Sequence, residues 1–244
     1  MGLSKILIVK MGGTFEHLRA SRGDYERWFV ECGGLSAGQV QVVRACEGET
    51  LPQDVHGFCG VIVTGAAAMV TDREDWSEAT GRFLLSALGS DIPVLGVCYG
   101  HQLLADVLGG EVGDNPAGRQ VGSARVELTG DARADALFSG MPNPMDVQVS
   151  HLQSVLSLPP HAVLLGRTSG DGRHIFRHGR CAWGVQFHPE FDHEIVPHYI
   201  RERSEAIRRE GLDPDGLLTG VTASNHGERL LRRFVSICWS RGQG

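Results

Sequence analysis

A cysteine at a predicted strand-to-helix turn constrains the fold of this chain most. Cys98 follows an apolar run at residues 92–97 and precedes a helical pattern at residues 101–108. Gly96 and Gly100 flank it, and a sharp turn from a buried strand into a helix needs residues without bulk at such positions. The helix N-terminus places unpaired N–H groups against the sulfur, which favours the thiolate over the thiol. The pattern therefore predicts an exposed, activated nucleophile.

Strand and helix patterns alternate through the first 110 residues. The apolar runs are typical of buried parallel strands, and they lie at residues 5–9, 40–44, 60–64 and 92–97. Helical patterns cover residues 24–32 and a segment that starts at a predicted capping box, residues 71–74, and runs toward residue 88. This alternation predicts an α/β fold with a doubly wound, mainly parallel sheet and flanking helices.

Beyond residue 110 the pattern changes to short strands separated by turn residues. Predicted strands lie at residues 120–128, 146–150, 163–166, 173–176 and 181–187. They predict a small antiparallel extension beside the parallel core. A charged amphipathic helix is predicted from residue 195 to about 210, and a last helix, from about 228 to 240, carries an apolar stripe that suits core packing. We expect a single domain over residues 1–244, with a helical C-terminal extension at about 192–244.

The charge balance argues against a polyanionic partner. The formal net charge is -6 at pH 7, whereas a nucleic acid or an anionic membrane would reward a basic face. No apolar stretch approaches the ~20 residues that a membrane span requires, and residues 1–5 lack the pattern of a signal peptide. We therefore expect a cytoplasmic protein with neither a nucleic-acid partner nor a membrane partner.

The remaining cysteines are expected to be packing residues. They form no CxxC pair and show no Cys/His spacing of a zinc site. Small apolar packing is the ordinary role of such residues in a reducing cytosol. These residues are Cys32, Cys46, Cys59, Cys181 and Cys238. The sequence predicts no metal site and no cofactor.

A second chemical pattern follows the last predicted strand. His188 and Glu190 lie two residues apart across Pro189, whose ring fixes its own φ and restricts the residue before it. If strand geometry continues there, both side chains project to the same side. The imidazole can then take the thiol proton while the carboxylate orients the ring. Cys98, His188 and Glu190 are therefore the predicted catalytic residues.

Three motifs give the chain a family resemblance. Gly-Val-Cys-Tyr-Gly-His-Gln at 96–102 resembles the nucleophile motif of class I glutamine amidotransferases, and Gly-Val-Gln-Phe-His-Pro-Glu at 184–190 resembles their triad motif. Val-Ser-His-Leu-Gln-Ser-Val at 149–155 is similar to the motif between them, usually written Ser-His-Gly-Asp and an apolar residue. The match runs from about residue 5 to 191. Within the family, the chain most resembles the glutaminase component of GMP synthase.

The resemblance implies hydrolysis of the glutamine side-chain amide. Cys98 would attack the carboxamide carbon, giving a γ-glutamyl thioester and ammonia. His188 would protonate the leaving amine and then activate water. Backbone N–H groups of Tyr99 and Ala66 would hold the oxyanion. The residues that would bind the glutamyl moiety are Gly65, Gln102, Ser150 and His151, although the resemblance leaves a structural role for His151 open.

The chain departs from the family pattern in one loop and at one further residue. Many members have Ser-Gly-Gly-Pro after the strand at 60–64, whereas this chain has Thr-Gly-Ala-Ala at 64–67. Ala66 keeps its backbone donor provided that its φ is negative. Gln153 is the second departure, because Asp is common at that position.

The sequence leaves three functions open. The first is a glutaminase that passes ammonia to a separate synthetase partner, because no phosphate loop of the type G-x-x-x-x-G-K-[ST] is present in this chain. The second is a stand-alone γ-glutamyl peptide hydrolase, with the same thioester and a larger leaving amine. The third is a non-catalytic, glutaminase-like regulatory module, against which the intact Cys98, His188 and Glu190 argue. Each takes a small-molecule ligand, glutamine or a γ-glutamyl compound.

Overall fold

The computed structural model describes residues 5–241. Its strands are β1 Lys5–Lys10, β2 Val40–Arg44, β3 Phe58–Val63, β4 Val94–Val97, β5 Glu111–Asp114, β6 Gln120–Leu128, β7 Met145–His151, β8 Gln153–Ser157, β9 Val163–Thr168, β10 Asp171–His178 and β11 Ala182–Val185. Its α-helices are α1 Glu16–Arg22, α2 Tyr25–Gly33, α3 Asp75–Gly89, α4 Tyr99–Val107, α5 Val196–Glu202, α6 Ser204–Arg209, α7 Pro214–Thr219 and α8 His226–Arg241.

One nine-stranded sheet organises the molecule, in the order β2-β1-β3-β4-β11-β10-β9-β6-β7. The five strands from β2 to β11 pair in parallel, and the strands from β11 to β7 pair antiparallel. The predicted α/β fold with a mainly parallel sheet is confirmed. The antiparallel strands continue the same sheet, and only β5 and β8 form a separate two-stranded sheet within residues 5–241.

The sheet separates two apolar cores. Alternate residues of β1 point to opposite faces, so that Ile6 and Ile8 join one buried cluster while Leu7 and Val9 join the other. Helices α2 and α8 cover the first face, and helices α3 and α4 cover the second. Because both faces are covered, the parallel strands carry nearly continuous apolar runs.

The predicted capping box at residues 71–74 is wrong. Residues Val70–Asp72 form a 3₁₀ turn that ends at Arg73, whose φ of 54° lies in the left-handed region. Helix α3 begins only at Asp75, and Glu74 makes no side-chain cap hydrogen bond. The Thr71 hydroxyl is engaged elsewhere, since it accepts a hydrogen bond from Gln153 Nε2 at 2.8 Å.

The single helix predicted over residues 195–210 is also wrong, because the segment is broken. The chain forms two short helices, α5 and α6, and Arg203 between them has φ −101° and ψ 8°. A charge pattern with helical spacing predicts both pieces equally well and carries no sign of the break. The last helix is confirmed as α8, and its predicted apolar stripe is buried.

Four elements were not predicted: α1, α7, β5 and β8. Each has only four to seven residues and few apolar ones, so these sequences have little periodicity to detect. Residues 1–4 and 242–244 lie outside the described residues, and the expectation of no signal peptide rests mostly on them. Between residues 5 and 241, no helix combines the length and the apolar character that crossing a bilayer would demand.

Candidate active site

Cys98 lies on a strained turn between β4 and α4. Its φ is 51° and its ψ is −100°, a backbone conformation that residues with a side chain rarely adopt. A Cβ on Gly96 would lie 2.3 Å from the carbonyl oxygen of Gly100, and a Cβ on Gly100 would lie 2.4 Å from that of Val63. The predicted need for glycine at both positions is therefore confirmed.

His188 and Glu190 form a buried pair beyond the end of β11. The Nδ1–H of His188 donates to Glu190 Oε1 at 2.7 Å, and the two residues are 3 % and 1 % exposed. The strand ends at Val185, earlier than predicted, so the pair meets without continued strand geometry. Instead, the backbone N–H of His188 donates to Gln148 O at 2.8 Å, which ties this segment to β7.

The imidazole of His188 faces Cys98. A Cβ on Gly65 would lie 2.8 Å from His188 Cε1 and 3.6 Å from Cys98 Cβ, so both side chains converge on this glycine. Since Nδ1 is bonded to Glu190, Nε2 is the nitrogen that remains for the sulfur. Burial lowers the pKa of His188, but the charges of Glu190 and Cys98 and hydrogen bonds with both raise it to about 10. The site therefore favours an imidazolium beside the sulfur.

The two residues expected to donate to the oxyanion line the same cavity as Cys98. Tyr99 is the first residue of α4, and the first four N–H groups of a helix have no partner within it. Ala66 lines the same cavity as Cys98 and is not among the residues with positive φ in the described chain, so its backbone donor is retained. Their role as oxyanion donors stays a prediction.

A cavity of about 240 Å³ opens next to Cys98. Its wall includes five further predicted site residues: Ala66, Tyr99, Gln102, Ser150 and His151. His188, Glu190 and Gly65 are not part of the wall, although Gly65 contacts His188 and Cys98. A larger cavity of about 770 Å³, between the loop around Leu51 and helix α3, contains none of the predicted residues.

Gln102 connects two parts of the wall. Its Nε2 donates to the Gln153 carbonyl oxygen at 2.6 Å and to Gln186 Oε1 at 3.0 Å. This amide nitrogen is therefore committed to the protein. The departure at Gln153 also has a physical reason, because its Nε2 donates to Thr71 Oγ1 and to Asp114 Oδ1. An Asp at position 153 has no N–H group to donate to either oxygen.

His151 belongs to a buried polar cluster with Asp171 and His174. Asp171 Oδ2 lies 3.2 Å from His174 Nδ1 and 3.8 Å from His151 Nε2. Burial lowers the pKa of His151 to about 3. Burial raises the pKa of Asp171, but the hydrogen bond and the charge of His174 lower it to about 2. The donor atoms of the three residues lie within 4.8 Å of one another, a spacing at which they could hold a metal ion.

All six cysteines carry free thiols, and Cys98 is itself buried, at 4 % exposed. The predicted exposure of this thiol is therefore wrong, because the residue lines a cavity beneath the surface. Cys59, Cys181 and Cys238 are buried, as predicted for packing residues, whereas Cys32 and Cys46 are half-buried. Burial raises the pKa of Cys59 and Cys181 to about 11. Of the cysteines, only Cys98 has an imidazole with a carboxylate partner beside it in the described chain.

Two arginines in the cavity wall were not predicted, Arg119 and Arg203. The Nε and Nη2 of Arg119 each lie 2.8 Å from a carboxylate oxygen of Glu210. Arg203 Nη1 donates to Ser150 Oγ at 2.6 Å. Arg203 lies in a charged helical pattern that resembles a solvated face, so the sequence gives no signal of its contact with the cavity.

A family comparison agrees with this geometry. The model of the family "Glutamine amidotransferase class-I" matches residues 25–204, which include Cys98, His188 and Glu190. The chain belongs to the class I glutamine amidotransferase family. The predicted family is thereby confirmed.

Three relatives show how similar this amidotransferase-family chain is to named enzymes. It is 34% identical over 188 residues to a glutamine-hydrolyzing GMP synthase of Aeropyrum pernix, covering 77% of this chain and 33% of that protein. It is 31% identical over 188 residues to one subunit of a glutamine-hydrolyzing GMP synthase of Methanopyrus kandleri, covering 76% and 88%. Gamma-glutamyl peptidase 5 of Arabidopsis thaliana is 26% identical over 182 residues, covering 73% and 72%.

The fold has matching solved structures. A glutamine amidotransferase from Thermotoga maritima superposes with a TM-score of 0.71 at 20% identity, covering 96% of each chain. Its similarity supports the fold class alone. The chain spans only about a third of the length of the GMP synthase from Aeropyrum pernix.

Proposed function

We propose that this chain hydrolyses a γ-glutamyl amide through a thioester on Cys98, with glutamine as the simplest substrate. The observation that carries the proposal is the 2.7 Å contact between His188 Nδ1 and Glu190 Oε1 beside the strained Cys98 turn. A nucleophile, a base and a group that orients the base are the three parts that such a reaction needs.

In the acylation step, the Cys98 sulfur forms a bond with the γ-carbonyl carbon. The carbonyl oxygen becomes negative, and the N–H groups of Tyr99 and Ala66 stabilise that charge. The C–N bond then breaks, and the proton held on His188 passes to the leaving nitrogen. The elevated pKa of His188 supports this step, because the ring holds its proton at neutral pH.

In the deacylation step, the neutral imidazole takes a proton from water. The water oxygen attacks the thioester carbon, the C–S bond breaks, and glutamate leaves with Cys98 restored. Glu190 stabilises the imidazolium in each step and prevents the ring from turning. The cavity is below the ~300–1,000 Å³ of drug-sized ligand sites, which suits a substrate of amino-acid size.

Incubation with glutamine tests the proposal. Glutamate and ammonia should form in equal amounts, and an electrophilic glutamine analogue should label the Cys98-containing peptide at neutral pH. Cys46→Ser is the matched control, because Cys46 is a free, half-buried thiol outside the cavity wall. An unlabelled Cys98 together with no turnover would favour the non-catalytic module instead.

Two versions of this function differ in the leaving amine. In the first, ammonia passes to a separate synthetase in the cytoplasm, and the Methanopyrus kandleri relative supports it, since its name describes one subunit of a larger enzyme. In the second, the chain acts alone on γ-glutamyl peptides, and the Arabidopsis thaliana relative supports it by its name and by similar coverage of both chains. The Arg203 side chain in the cavity wall favours the second version.

A further inference from the structure

Arg203 is a cation without a carboxylate partner in the cavity wall. Its Nη1 donates to Ser150 Oγ at 2.6 Å. Within residues 5–241, no carboxylate oxygen lies within 4.0 Å of its guanidinium nitrogens, whereas Arg119 in the same wall is paired with Glu210. Placing a charge in a half-buried position without a counter-charge is unfavourable. The arrangement therefore leaves a place for an anionic group of a ligand.

The break between α5 and α6 places Arg203 there. Its guanidinium carbon lies 5.5 Å from the ring centroid of Tyr199 and 6.0 Å from that of Phe15, which restrains the long side chain. With Nη1 bonded to Ser150, the remaining N–H groups of the planar guanidinium keep donor capacity for a carboxylate. Lysine could not offer the same paired donors.

Aromatic contacts connect Arg203 to the side of the cleft that carries His188. Phe191 stacks on the His188 ring with centroids 4.0 Å apart, and it lies 4.7 Å from Tyr199, over which Arg203 lies. His188 is the group that gives a proton to the leaving nitrogen in the proposed reaction. Tyr199 and Phe191 therefore link the Arg203 guanidinium to the imidazole that protonates the leaving nitrogen, while the Ser150 hydroxyl accepts from Arg203 Nη1.

We propose that Arg203 binds a carboxylate on the amine side of the scissile bond, so that γ-glutamyl amino acids are better substrates than glutamine. This rests on the proposed function. The thioester forms at Cys98, the C–N bond breaks, and the proton of His188 passes to the amino acid that leaves with its carboxylate still bound. Water then releases glutamate. Ammonia, the leaving group from glutamine, has no carboxylate to offer.

Three substrates and two variants test the specificity. The measured quantity is the ratio of kcat/KM for γ-glutamylglycine to kcat/KM for γ-glutamyl methylamide, which lacks the carboxylate, with glutamine as a third substrate. Loss of one charged hydrogen-bonding partner should lower this ratio by about 30- to 100-fold in Arg203→Gln. Arg201→Gln is the matched control, because Arg201 lies on α5 and is exposed; it should keep the wild-type ratio.

The same data show whether Arg203 binds the carboxylate of the leaving amino acid or the α-carboxylate of the glutamyl half. An equal loss of kcat/KM for all three substrates in Arg203→Gln would mean that Arg203 binds the α-carboxylate of the glutamyl half, and the proposal would be wrong. An unchanged ratio would also overturn it. Partial rescue of the ratio by Arg203→Lys, at a melting temperature equal to that of Arg203→Gln, supports charge recognition and not a folding effect.

Binding to an inactive chain distinguishes failure of this proposal from failure of the proposed function. Cys98→Ala should bind γ-glutamylglycine at least about 10-fold more tightly than γ-glutamyl methylamide in calorimetry, and Cys98→Ala/Arg203→Gln should lose that preference. If the wild-type chain hydrolyses neither compound but the binding preference is present, the proposed function fails and the Arg203 site stands. If hydrolysis occurs without any binding preference, the Arg203 site fails and the proposed function stands.

Discussion

The backbone N–H of Cys98 donates a hydrogen bond to the carbonyl oxygen of Val185 at 2.9 Å. This bond joins the end of β4 to the end of β11, the strand whose continuation leads to His188. Adjacent parallel strands end at the same edge of the sheet, so the sulfur and the imidazole meet there although 90 residues separate them in sequence. The register of β4 and β11 thus sets the geometry of the proposed reaction.

Replacing the nucleophile should abolish hydrolysis without unfolding the chain. Cys98→Ser removes the thiolate and substitutes one oxygen for one sulfur, so we expect a loss of about 10³-fold or more in glutamate release and a nearly unchanged melting temperature. Cys46→Ser should retain wild-type turnover. Substantial turnover by Cys98→Ser would exclude the thioester.

Replacing the orienting carboxylate should cost less than replacing the base. His188→Ala removes proton transfer and should lower kcat by about 10³- to 10⁴-fold, whereas Glu190→Gln should lower it by about 10²-fold. Both are measured with the same substrate and compared with thermal unfolding. Equal losses in the two variants would contradict this division of roles.

Glu190→Gln should also change the dependence of activity on pH. The Glu190 charge is one cause that raises the pKa of His188 to about 10, so neutralising it must lower this pKa. The alkaline limb of the kcat/KM profile should then move to lower pH. The protonated ring also stabilises the folded chain fully below pH ~6.5, and this contribution disappears as pH rises toward about 10. A limb that stays in place would show that another group controls it.

Two buried histidines should make the fold sensitive to acid. Burial lowers the pKa of His101 and of His151 to about 3. The unfolded chain therefore binds more protons between pH 6.5 and about 3, and each residue removes about 1.4 kcal/mol of unfolding free energy per pH unit as pH falls through that window. Urea unfolding at several pH values measures the slope.

A variant isolates one of these histidines. His101→Gln should reduce the slope by about one proton, whatever its effect on stability at neutral pH. His56→Gln is the matched control, because His56 is exposed. If both variants unfold with the wild-type slope, His101 does not contribute to acid sensitivity.

Replacing Ala66 with glycine should have little effect on turnover. Ala66 is not among the residues with positive φ, so Ala66→Gly should change turnover by less than about 3-fold while lowering stability by about 0.4–1 kcal/mol through added chain entropy. A large rise in turnover would show that loop stiffness limits the oxyanion site.

A side chain added at position 12, in Gly12→Ala, should displace the Ala66 loop and lower turnover. Its Cβ would lie 2.8 Å from Ala66 Cα, so the backbone of one loop must move, and a displaced oxyanion donor costs up to about 10²- to 10³-fold in kcat. Gly38→Ala is the control, because nothing lies within 4 Å of a Cβ at that position. Equal turnover in the two variants would remove Ala66 from the proposed oxyanion site.

Residues near one another in sequence made the turn at Cys98 predictable. The apolar run before it, the glycines around it and the helical pattern after it each limit the same few residues, and the structure agrees with all of them. The parallel strands were predictable for a similar reason, because burial on both faces requires unbroken apolar runs.

The cavity wall was less predictable, because it depends on contacts between distant segments. Gln102 Nε2 donates to Gln153 O and Gln186 Oε1, and no pattern in the sequence around Gln102 indicates these bonds. The break between α5 and α6 changes the backbone of Arg203 alone. The spacing of apolar residues in the sequence hardly responds to a change at one residue, so it gave no sign of the break. The capping box at residues 71–74 was wrong because Thr71 bonds to Gln153 across the fold.

The position of β7 at one edge of the sheet has a consequence for how this protein can change over evolutionary time. Ser150, which holds Arg203, lies on that outer strand, whereas β4 and β11 are interior neighbours. Side-chain substitutions on β7 can alter which compounds are accepted, but the β7 backbone must stay in place because Gln148 O accepts the backbone N–H of His188. Selectivity can therefore change through side chains on the outer strand as long as its main chain keeps the imidazole in position.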